Sequence, residues 1–399
     1  MKARRLSALG VSATVALVGL GACGSSSKNS TSTTSGSSVT SATSSGSTSG
    51  TIDIGFASAL TGTTSFPAVG QAAQAAAKYV NAHGGIGGKS VNLVVCDMKN
   101  DNQSAQECGQ QFANDASMPF AMLGLTLNGG PFYAAMNAAH KPILGGLGIT
   151  PADNSPADTF FYYPGATYYY SVAQTVKKMG WKSIAYIDEN EAASTAGEQV
   201  VASQLAGSGV TIKTTTIPTS ASDVTPQIEA AGISTADATL IFTTGSCSQI
   251  ASAMQSLSIK PKAVLAVNTC LTPANISSNP SLYEGWILAS PLKESIVGKG
   301  VDPSIDTFLN GWQKYGPGGT PGVFAELGWG LVLTAARVFP APSNITAGSA
   351  LAALQSYKGA VVMGPSSVSC PGPAPTTATC GQGLTYYKIT SGKLVPTNA

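Results

Sequence analysis

Between residues 52 and 95 the chain reads Ile52-Asp-Ile-Gly-Phe56, then an Ala-rich run over 68–81, then Val91-Asn-Leu-Val-Val95. The outer segments are short and apolar, as buried strands are. The middle segment has helical composition and ends at His83-Gly84-Gly85. A strand, a helix and a second strand in this order predict a βαβ unit whose two strands are parallel.

The same alternation continues along the chain. We predict further strands at 120–123, 142–144, 183–187, 239–243 and 262–267, and helices at 103–116, 169–179, 195–205, 226–231 and 248–257. Repeated units of this kind predict an α/β fold, in which helices flank parallel sheets. A body that starts near Thr51 is long for one hydrophobic core, so we expect two lobes. Binding sites in such folds lie beyond the carboxyl ends of the strands.

Residues 1–22 have the pattern of a secretory signal peptide. Lys2, Arg4 and Arg5 precede a mostly apolar run over 6–19, which ends in Leu20-Gly-Ala-Cys23. The apolar run is too short for a membrane span, which needs about 20 apolar residues. The last four residues resemble a lipobox, in which the Cys is lipidated before cleavage; an ordinary signal peptide containing a Cys is the alternative. We therefore predict an extracytoplasmic protein, anchored to the cell membrane through lipid on Cys23.

The segment that follows is a predicted tether. Residues 24–50 are almost entirely Ser, Thr and Gly. Such a composition cannot bury enough apolar surface to offset the entropy of ordering the chain. We therefore expect residues 23–51 to be flexible, with a mean reach on the order of 30 Å.

Charge and composition exclude several classes of function. Only 10% of the residues are charged, against about 25% in an average protein. The net charge is +2 and no basic cluster is present, which argues against a nucleic-acid partner.

The chain also lacks the usual catalytic groupings. His83 and His140 are its only imidazoles, and it contains no Gly-x-Ser-x-Gly turn. The stretch 83–90 differs from a phosphate-binding loop at one position, where His83 replaces the first Gly, and it runs from helix to strand, the reverse of that motif. We expect no enzyme activity, no cofactor and no metal site.

Six cysteines remain besides Cys23, an even number in a chain predicted to be exported. Sequence alone allows fifteen pairings of six, and proximity favours Cys96–Cys108, Cys247–Cys270 and Cys370–Cys380. Each of these would close a short loop and contribute roughly 3 kcal/mol in the chain-entropy model. Metal binding is the alternative, but no Cys-x-x-Cys is present.

Several segments together resemble the type I periplasmic binding proteins, and more narrowly the branched-chain amino acid binding proteins of ABC importers. The most specific is Asn81-Ala-His-Gly-Gly-Ile-Gly-Gly-Lys-Ser-Val-Asn-Leu93, followed by Cys96-Asp97. Weaker ones occur in family order at 59–62, 242–245, 283–287, 324–329 and 364–365. The resemblance covers residues 52–395.

The resemblance implies two α/β lobes joined by three crossovers at a hinge. Lobe one would comprise 52–168 and 294–361, and lobe two 169–293 and 362–395. The implied function is capture of a small polar solute between the lobes, an amino acid or a related amide or carboxylate, and delivery to the permease of an ABC importer. We expect a monomer. A tethered sensor of the same fold, and an exported enzyme or structural protein, are the alternatives.

The resemblance also implies solute-contacting positions in lobe one. Asn128 and Thr150 match residues that hydrogen-bond the carboxylate of the solute. Each precedes an early Pro at a predicted helix start, where free N–H groups suit an anion, although each is alternatively only a helix cap. Thr61, Ser65 and Phe66 follow the first strand and are candidates for the lobe-one wall.

Lobe two departs from the amino-acid-binding pattern. The loop after Ile187 lacks the aromatic residue of many relatives, and Asn268-Thr269-Cys270 stands where several carry a carboxylate for the ammonium group. Asp188, Glu189 or Glu191 could take that role, or could simply be solvated loop charges; we name Asp188 and Glu191 as candidates. Because the family also includes binders of short amides, urea and aromatic acids, the solute stays open.

Overall fold

The computed structural model describes residues 48–62, 64–243 and 245–398. The predicted signal peptide, Cys23 and nearly all of the predicted tether lie outside these residues. Twelve strands are described: β1 Thr51–Ser58, β2 Ser90–Asp97, β3 Ala121–Leu123, β4 Ile143–Gly145, β5 Thr159–Phe161, β6 Ser183–Glu189, β7 Thr211–Ile217, β8 Ala238–Phe242, β9 Val264–Ala266, β10 Ile287–Ser290, β11 Thr385–Thr390 and β12 Lys393–Thr397.

Eleven α-helices accompany these strands in the described part of the chain: α1 Pro67–Asn81, α2 Asn102–Asn114, α3 Gly130–Ala138, α4 Tyr168–Lys178, α5 Ala192–Leu205, α6 Thr225–Ala230, α7 Cys247–Ser256, α8 Pro273–Ser278, α9 Pro303–Tyr315, α10 Ala325–Val338 and α11 Ala347–Ser356. Of the helices described, none is both long and apolar enough to span a membrane.

The first sheet has five strands in the order β2-β1-β3-β4-β5, and all its pairs are parallel. Helices α1, α9, α10 and α11 contribute to one core of this lobe, and α2 and α3 to another. Ala68, Val69, Ala72 and Ala73 of α1 are buried, so the Ala-rich sequence lets this helix pack closely. The strand–helix–strand unit predicted at 52–95 is present.

The second sheet has seven strands in the order β12-β11-β10-β9-β8-β6-β7. Its pairs from β7 to β10 are parallel, whereas β10–β11 and β11–β12 are antiparallel. The antiparallel hairpin turns at Ser391-Gly392, and both residues have positive φ, as a two-residue hairpin turn requires. Helices α4 and α5 pack in one core of this sheet and α6 and α7 in the other. The predicted α/β class with two lobes is therefore correct, with an antiparallel edge added.

The chain passes between the two sheets three times, after β5, after β10 and after α11. The third passage stays with the first sheet for longer than the resemblance implies. The backbone N–H of Phe161 at the end of β5 donates to the Ala378 carbonyl, and Cys380 N–H donates to the Phe161 carbonyl, each at 2.8 Å. Val368 and Cys380 belong to the core of the first lobe.

The structure contains the three disulfides that proximity favours, Cys96–Cys108, Cys247–Cys270 and Cys370–Cys380. The first ties β2 to α2, and the third lies within the third passage. The second joins the start of α7 to the loop after β9 and has the greatest sequence separation of the three, 23 residues. Its position matters because both of the segments that it joins face the space between the sheets.

Candidate functional site

A cavity of about 140 Å³ lies between the two lobes. The first sheet contributes the loops after β3, β4 and β5, and the second contributes the loops after β6, β8, β9 and β10. The lining residues are Leu125, Leu147, Ile149, Pro164, Gly165, Tyr168, Tyr169, Glu191, Ser194, Phe242, Thr243, Val267, Asn268, Thr269, Pro291 and Phe324. The cavity thus has the position expected for a ligand site in a parallel α/β fold, beyond the carboxyl ends of the strands.

The wall on the first-sheet side is apolar. Leu125, Leu147 and Ile149 contribute aliphatic side chains, and Phe324 contributes its ring. Phe324 precedes α10 with a φ of 64°, a left-handed conformation that is rare for a bulky residue, and its ring packs edge-on against Phe66 at 5.6 Å between centroids. Such backbone strain is kept only where the surroundings enforce it.

The wall on the second-sheet side carries three packed aromatic rings. Tyr168 and Tyr169 at the start of α4 lie 5.2 Å apart between centroids, and each lies within 5.9 Å of Phe242 at the end of β8. The ring of Tyr169 packs against Gly197 of α5, where an added Cβ would lie 2.2 Å from the ring. Gly197 is therefore required for Tyr169 to reach its position.

Three hydroxyl groups of the second-sheet wall direct their hydrogens into the protein. The hydroxyl of Thr269 donates to the Thr243 carbonyl at 2.9 Å, and that of Tyr168 donates to the Ala289 carbonyl at 3.1 Å. The Ser194 hydroxyl donates to the Phe242 carbonyl at 3.5 Å. Because a hydroxyl has one hydrogen and two lone pairs, these three groups retain only acceptor capacity.

The three carboxylates around the end of β6 have different positions. Glu191 lines the cavity at the residue before α5. Glu189 instead accepts hydrogen bonds from the N–H groups of Gly245 and Ser246, at 3.0 and 2.7 Å, and from the Ser246 hydroxyl, so it caps the start of α7. Asp188 is buried behind the wall, and burial raises the pKa of its carboxyl group. Of the candidates named from the sequence, Glu191 alone lines this cavity.

Asn128 and Thr150 are held by other parts of the protein. The Asn128 amide donates to the Asn100 carbonyl, and the residue directly before α3 is Gly129, so Asn128 is not the cap of that helix as the sequence predicted. Thr150 does cap a short 3-10 helix, Pro151–Asp153. Its hydroxyl donates to the Asp153 carboxylate at 2.8 Å.

Thr150 faces a second cavity, of about 320 Å³. This cavity also lies between the lobes and shares Ile149 and Tyr169 with the first. The two side chains thus form a partition between the two cavities.

The lobe-one candidates after β1 lie outside the lining of the central cavity. Thr61 is exposed, and its hydroxyl and N–H both donate to Asp97, at 2.5 and 3.2 Å. Ser65 is half-buried. Phe66 supports the cavity from behind, through its contact with Phe324.

A buried pair of carboxyl groups adjoins the cavity, and no sequence pattern predicts it. Glu294 lies in the second passage between the sheets and Glu326 in the first turn of α10, and both are buried. Burial raises the pKa of each carboxyl group, and for Glu294 the nearby Glu326 raises it further. Ser290 donates to Glu294, Ser295 donates to Glu326, and the Asn268 side chain also hydrogen-bonds Glu294. Glu326 lies within 324–329, a segment used only for the family resemblance, and Glu294 stands at the implied lobe boundary.

The first sheet, the second sheet and a cleft between them are shared with a known family. A family model described as periplasmic binding protein matches residues 51–383. The chain belongs to the periplasmic binding protein family. No curated protein sequence matches it.

Solved structures with the same fold include several periplasmic binding proteins. An extracellular ligand-binding receptor from Rhodopseudomonas palustris is 17% identical, with a TM-score of 0.65, 87% of this chain covered and 99% of the other. A substrate-binding protein from Desulfitobacterium hafniense in complex with Leu is 17% identical (TM-score 0.64, 87% and 100% covered). The branched-chain amino acid binding protein LivJ from Streptococcus pneumoniae, in complex with isoleucine, is 15% identical (TM-score 0.65, 87% and 100% covered). At these identities the similarity establishes the fold.

Within the described ranges, no three His, Cys, Asp or Glu side chains come together where they could hold a metal ion. The acidic groups near the cavity are instead bonded within the protein or buried, as described above for Glu189, Asp188 and Glu294. The described lining offers aromatic faces and hydrogen-bonding side chains.

Proposed function

We propose that this chain captures a small solute in the central cavity and delivers it to the permease of an ABC importer. The observation that supports the proposal best is the cavity itself, which is lined by the carboxyl-terminal loops of both sheets. Family membership supports a solute-binding role, and two structurally similar proteins were solved in complex with leucine or isoleucine. A solute that touches both walls favours the closed arrangement of the lobes, which a permease can distinguish from the open one.

The proposed lobes follow the two sheets. Lobe one comprises 52–168 and 294–361, and lobe two comprises 169–293 and the C-terminal hairpin. The contacts of Phe161 with Ala378 and Cys380 support one change to the boundaries that the resemblance implies. We place residues 362–381 with lobe one and the end of the third crossover after Gly381.

The proposed solute contacts are Glu191, Ser194 and Thr269 in lobe two, with Ile149 and Phe324 opposite in lobe one. Asn128 and Thr150 would support the surrounding loops, because their side chains already bond Asn100 and Asp153. Thr61, Ser65 and Phe66 would support the cavity from positions outside its lining. Asp188 would support it from its buried position at the end of β6.

The N-terminal sequence supports an extracytoplasmic, membrane-anchored location. Residues 1–22 would direct export, Cys23 would carry lipid, and residues 24–50 would let a monomeric body move near the membrane while it searches for its permease. The chemistry proposed for the body is binding without catalysis. Its six remaining cysteines are paired, which fits an oxidising compartment.

The experiment is a thermal-shift screen of the purified body with amino acids, amides, amines and aromatic acids, followed by calorimetry on any hit. A ligand that binds only the native state raises the Tm. Thr269→Tyr, which fills the cavity, should abolish the shift, whereas the exposed Thr214→Tyr should retain it. Small-angle scattering should show a smaller radius of gyration with the ligand bound.

Transport itself needs a cellular test. Uptake of the labelled ligand should require both this chain and its permease. Uptake that is unchanged when the chain is deleted would contradict delivery and would favour a sensing role, and a Tm shift that survives Thr269→Tyr would place the ligand elsewhere.

A further inference from the structure

Resting on the proposed function, we propose that the solute is a small organic amine with a compact apolar body and no carboxylate. Four features of the central cavity support this class over an α-amino acid. They are the hydrogen-bond polarity of one wall, the charge of the lining, the apolar character of the other wall, and the aromatic cluster.

The polar wall accepts hydrogen bonds. Ser194, Thr269 and Tyr168 each give their single hydroxyl hydrogen to a backbone carbonyl, at 3.5, 2.9 and 3.1 Å. Their lone pairs are what they can still offer to a solute. Glu191, when ionised, is an acceptor as well. A solute with N–H donors, such as an ammonium group, therefore suits these four residues. Two other polar side chains of this wall already have partners within the protein: Asn268 bonds Glu294, and the Thr243 hydroxyl lies 3.0 Å from the Cys247 sulfur.

The described lining of the cavity carries a single, negative charge. Among the described lining residues, Glu191 is the one with a charged side chain, and no Lys, Arg or His is present. Glu191 also precedes α5, so it places a negative charge at the positive end of that helix. The start of α5 is thus already partly neutralised as a site for an anion.

Among the described residues of the first-sheet wall, no side chain could hold a carboxylate. Its lining residues are aliphatic or aromatic side chains, with Pro164 and Gly165 beside them. The two residues that the resemblance assigns to a carboxylate, Asn128 and Thr150, donate to Asn100 and Asp153 instead. A carboxylate pressed against Leu147 and Ile149 would lose its hydration without replacement, which is costly for an ion.

The aromatic cluster suits a cation. Tyr168, Tyr169 and Phe242 pack within 5.9 Å of one another, and all three line the cavity. The negative face of an aromatic ring attracts an ammonium group within about 6 Å. The cavity volume of about 140 Å³ limits the apolar body to roughly the size of benzene, which a dry cavity of about 150 Å³ can hold.

The test uses matched sets of ligands that share one side chain. For the isobutyl side chain, the set is 3-methylbutylamine, 4-methylpentanoate and leucine, and benzylamine, phenylacetate and phenylalanine form a second set. We expect calorimetry at pH 7 to show at least one amine binding ten-fold or more tightly than both of its partners. Glu191→Gln should weaken that amine about ten-fold and leave the matched neutral alcohol unchanged.

The outcomes separate this inference from the proposed function. An amino acid or acid that binds more tightly than its matched amine would overturn the inference and still support solute capture. Equal loss of amine and alcohol binding in Glu191→Gln would show a general disturbance of the wall and would also overturn it. If no ligand of any class shifts the Tm, the proposed function fails together with the inference.

Discussion

Asn268 lines the central cavity, and its side chain hydrogen-bonds the buried carboxyl group of Glu294. Glu294 lies in the second passage between the sheets, and its backbone N–H donates to the Tyr387 hydroxyl of the C-terminal hairpin at 3.0 Å. On its other side is Glu326, at the start of α10 in the first lobe. One chain of contacts therefore joins the central cavity to the second passage between the sheets.

The buried carboxyl pair predicts that stability depends on pH. Burial and Glu326 raise the pKa of Glu294 from 4.5 to about 8, so between these values the native state holds a proton that the unfolded chain releases. Stability from this group is complete below pH 4.5 and is lost as the pH rises through 8, by at most about 1.4 kcal/mol per pH unit. Glu294→Gln, which mimics the protonated form, should lose less stability between pH 5 and 8 in urea unfolding.

The exposed Glu284→Gln serves as the control for that measurement. It should reproduce the wild-type profile. A Glu294→Gln profile parallel to wild type over the whole range would show that the carboxyl group is ionised in the native protein and would contradict the assignment.

The disulfide Cys247–Cys270 should affect binding as well as stability. It joins the start of α7 to the loop after β9, and the Thr243 hydroxyl beside it is 3.0 Å from the Cys247 sulfur. Replacing both cysteines with Ala should cost about 2–4 kcal/mol of stability. It should also weaken solute binding several-fold, because Thr243 and Thr269 line the cavity from the two joined segments.

The matched control is the double Ala variant of Cys96 and Cys108, which lie outside the cavity lining. It should lose stability and keep its affinity. Equal affinity losses in both double variants would refute a local role for Cys247–Cys270. Mass mapping of the unreduced body should find the three bridges and no free thiol besides any lipid-free Cys23.

Asn128 offers a direct comparison between the resemblance and the structure. A residue that bonds a solute carboxylate would lose 10- to 100-fold in affinity on replacement by Ala, given about 1.5–3 kcal/mol for a bond to a charged group. In the structure its amide bonds Asn100, so we expect Asn128→Ala to cost about 1 kcal/mol of stability and less than three-fold in affinity. Calorimetry on Asn128→Ala and Glu191→Gln measures the two losses of affinity. A larger loss for Asn128→Ala than for Glu191→Gln would restore the role of Asn128 that the resemblance implies.

The proposed anchor gives a prediction that is independent of the site. Cys23→Ser should move the protein from membranes into a soluble fraction, because its attachment would depend on the lipid. Fractionation and mass spectrometry of wild type test this together. A wild-type protein without lipid, and a variant that still partitions with membranes, would exclude the anchor.

Hydrophobic patterns in the sequence predict most of the parallel core. The predicted helix at 169–179 is α4, Tyr168–Lys178, and the predicted strand at 183–187 is the first part of β6. Strand β7 was missed because its sequence Thr211-Ile-Lys-Thr-Thr-Thr-Ile217 is polar and it lies at a sheet edge, where burial leaves a weak pattern. The antiparallel hairpin was missed because strand pairing is set by tertiary contacts.

The site was harder to predict than the fold. Sequence reasoning named Glu191, which lines the cavity, because charges after a strand are visible in a sequence. It could not find the direction of the Ser194 and Thr269 hydroxyls, which depends on carbonyl groups of other strands and loops. Nor could it find Glu294 beside Glu326, because the two residues meet only when the lobes are assembled.

The partition formed by Ile149 and Tyr169 sets the range of solutes that this scaffold can adopt. Among the described residues, Ile149 and Tyr169 are the two that line both cavities, which measure about 140 and 320 Å³. Shortening Tyr169 would join them into one chamber without any change to the hinge or the sheets. A lineage of such proteins could therefore come to bind much larger solutes through one substitution at Tyr169. The same substitution could change the analyte that an engineered biosensor detects.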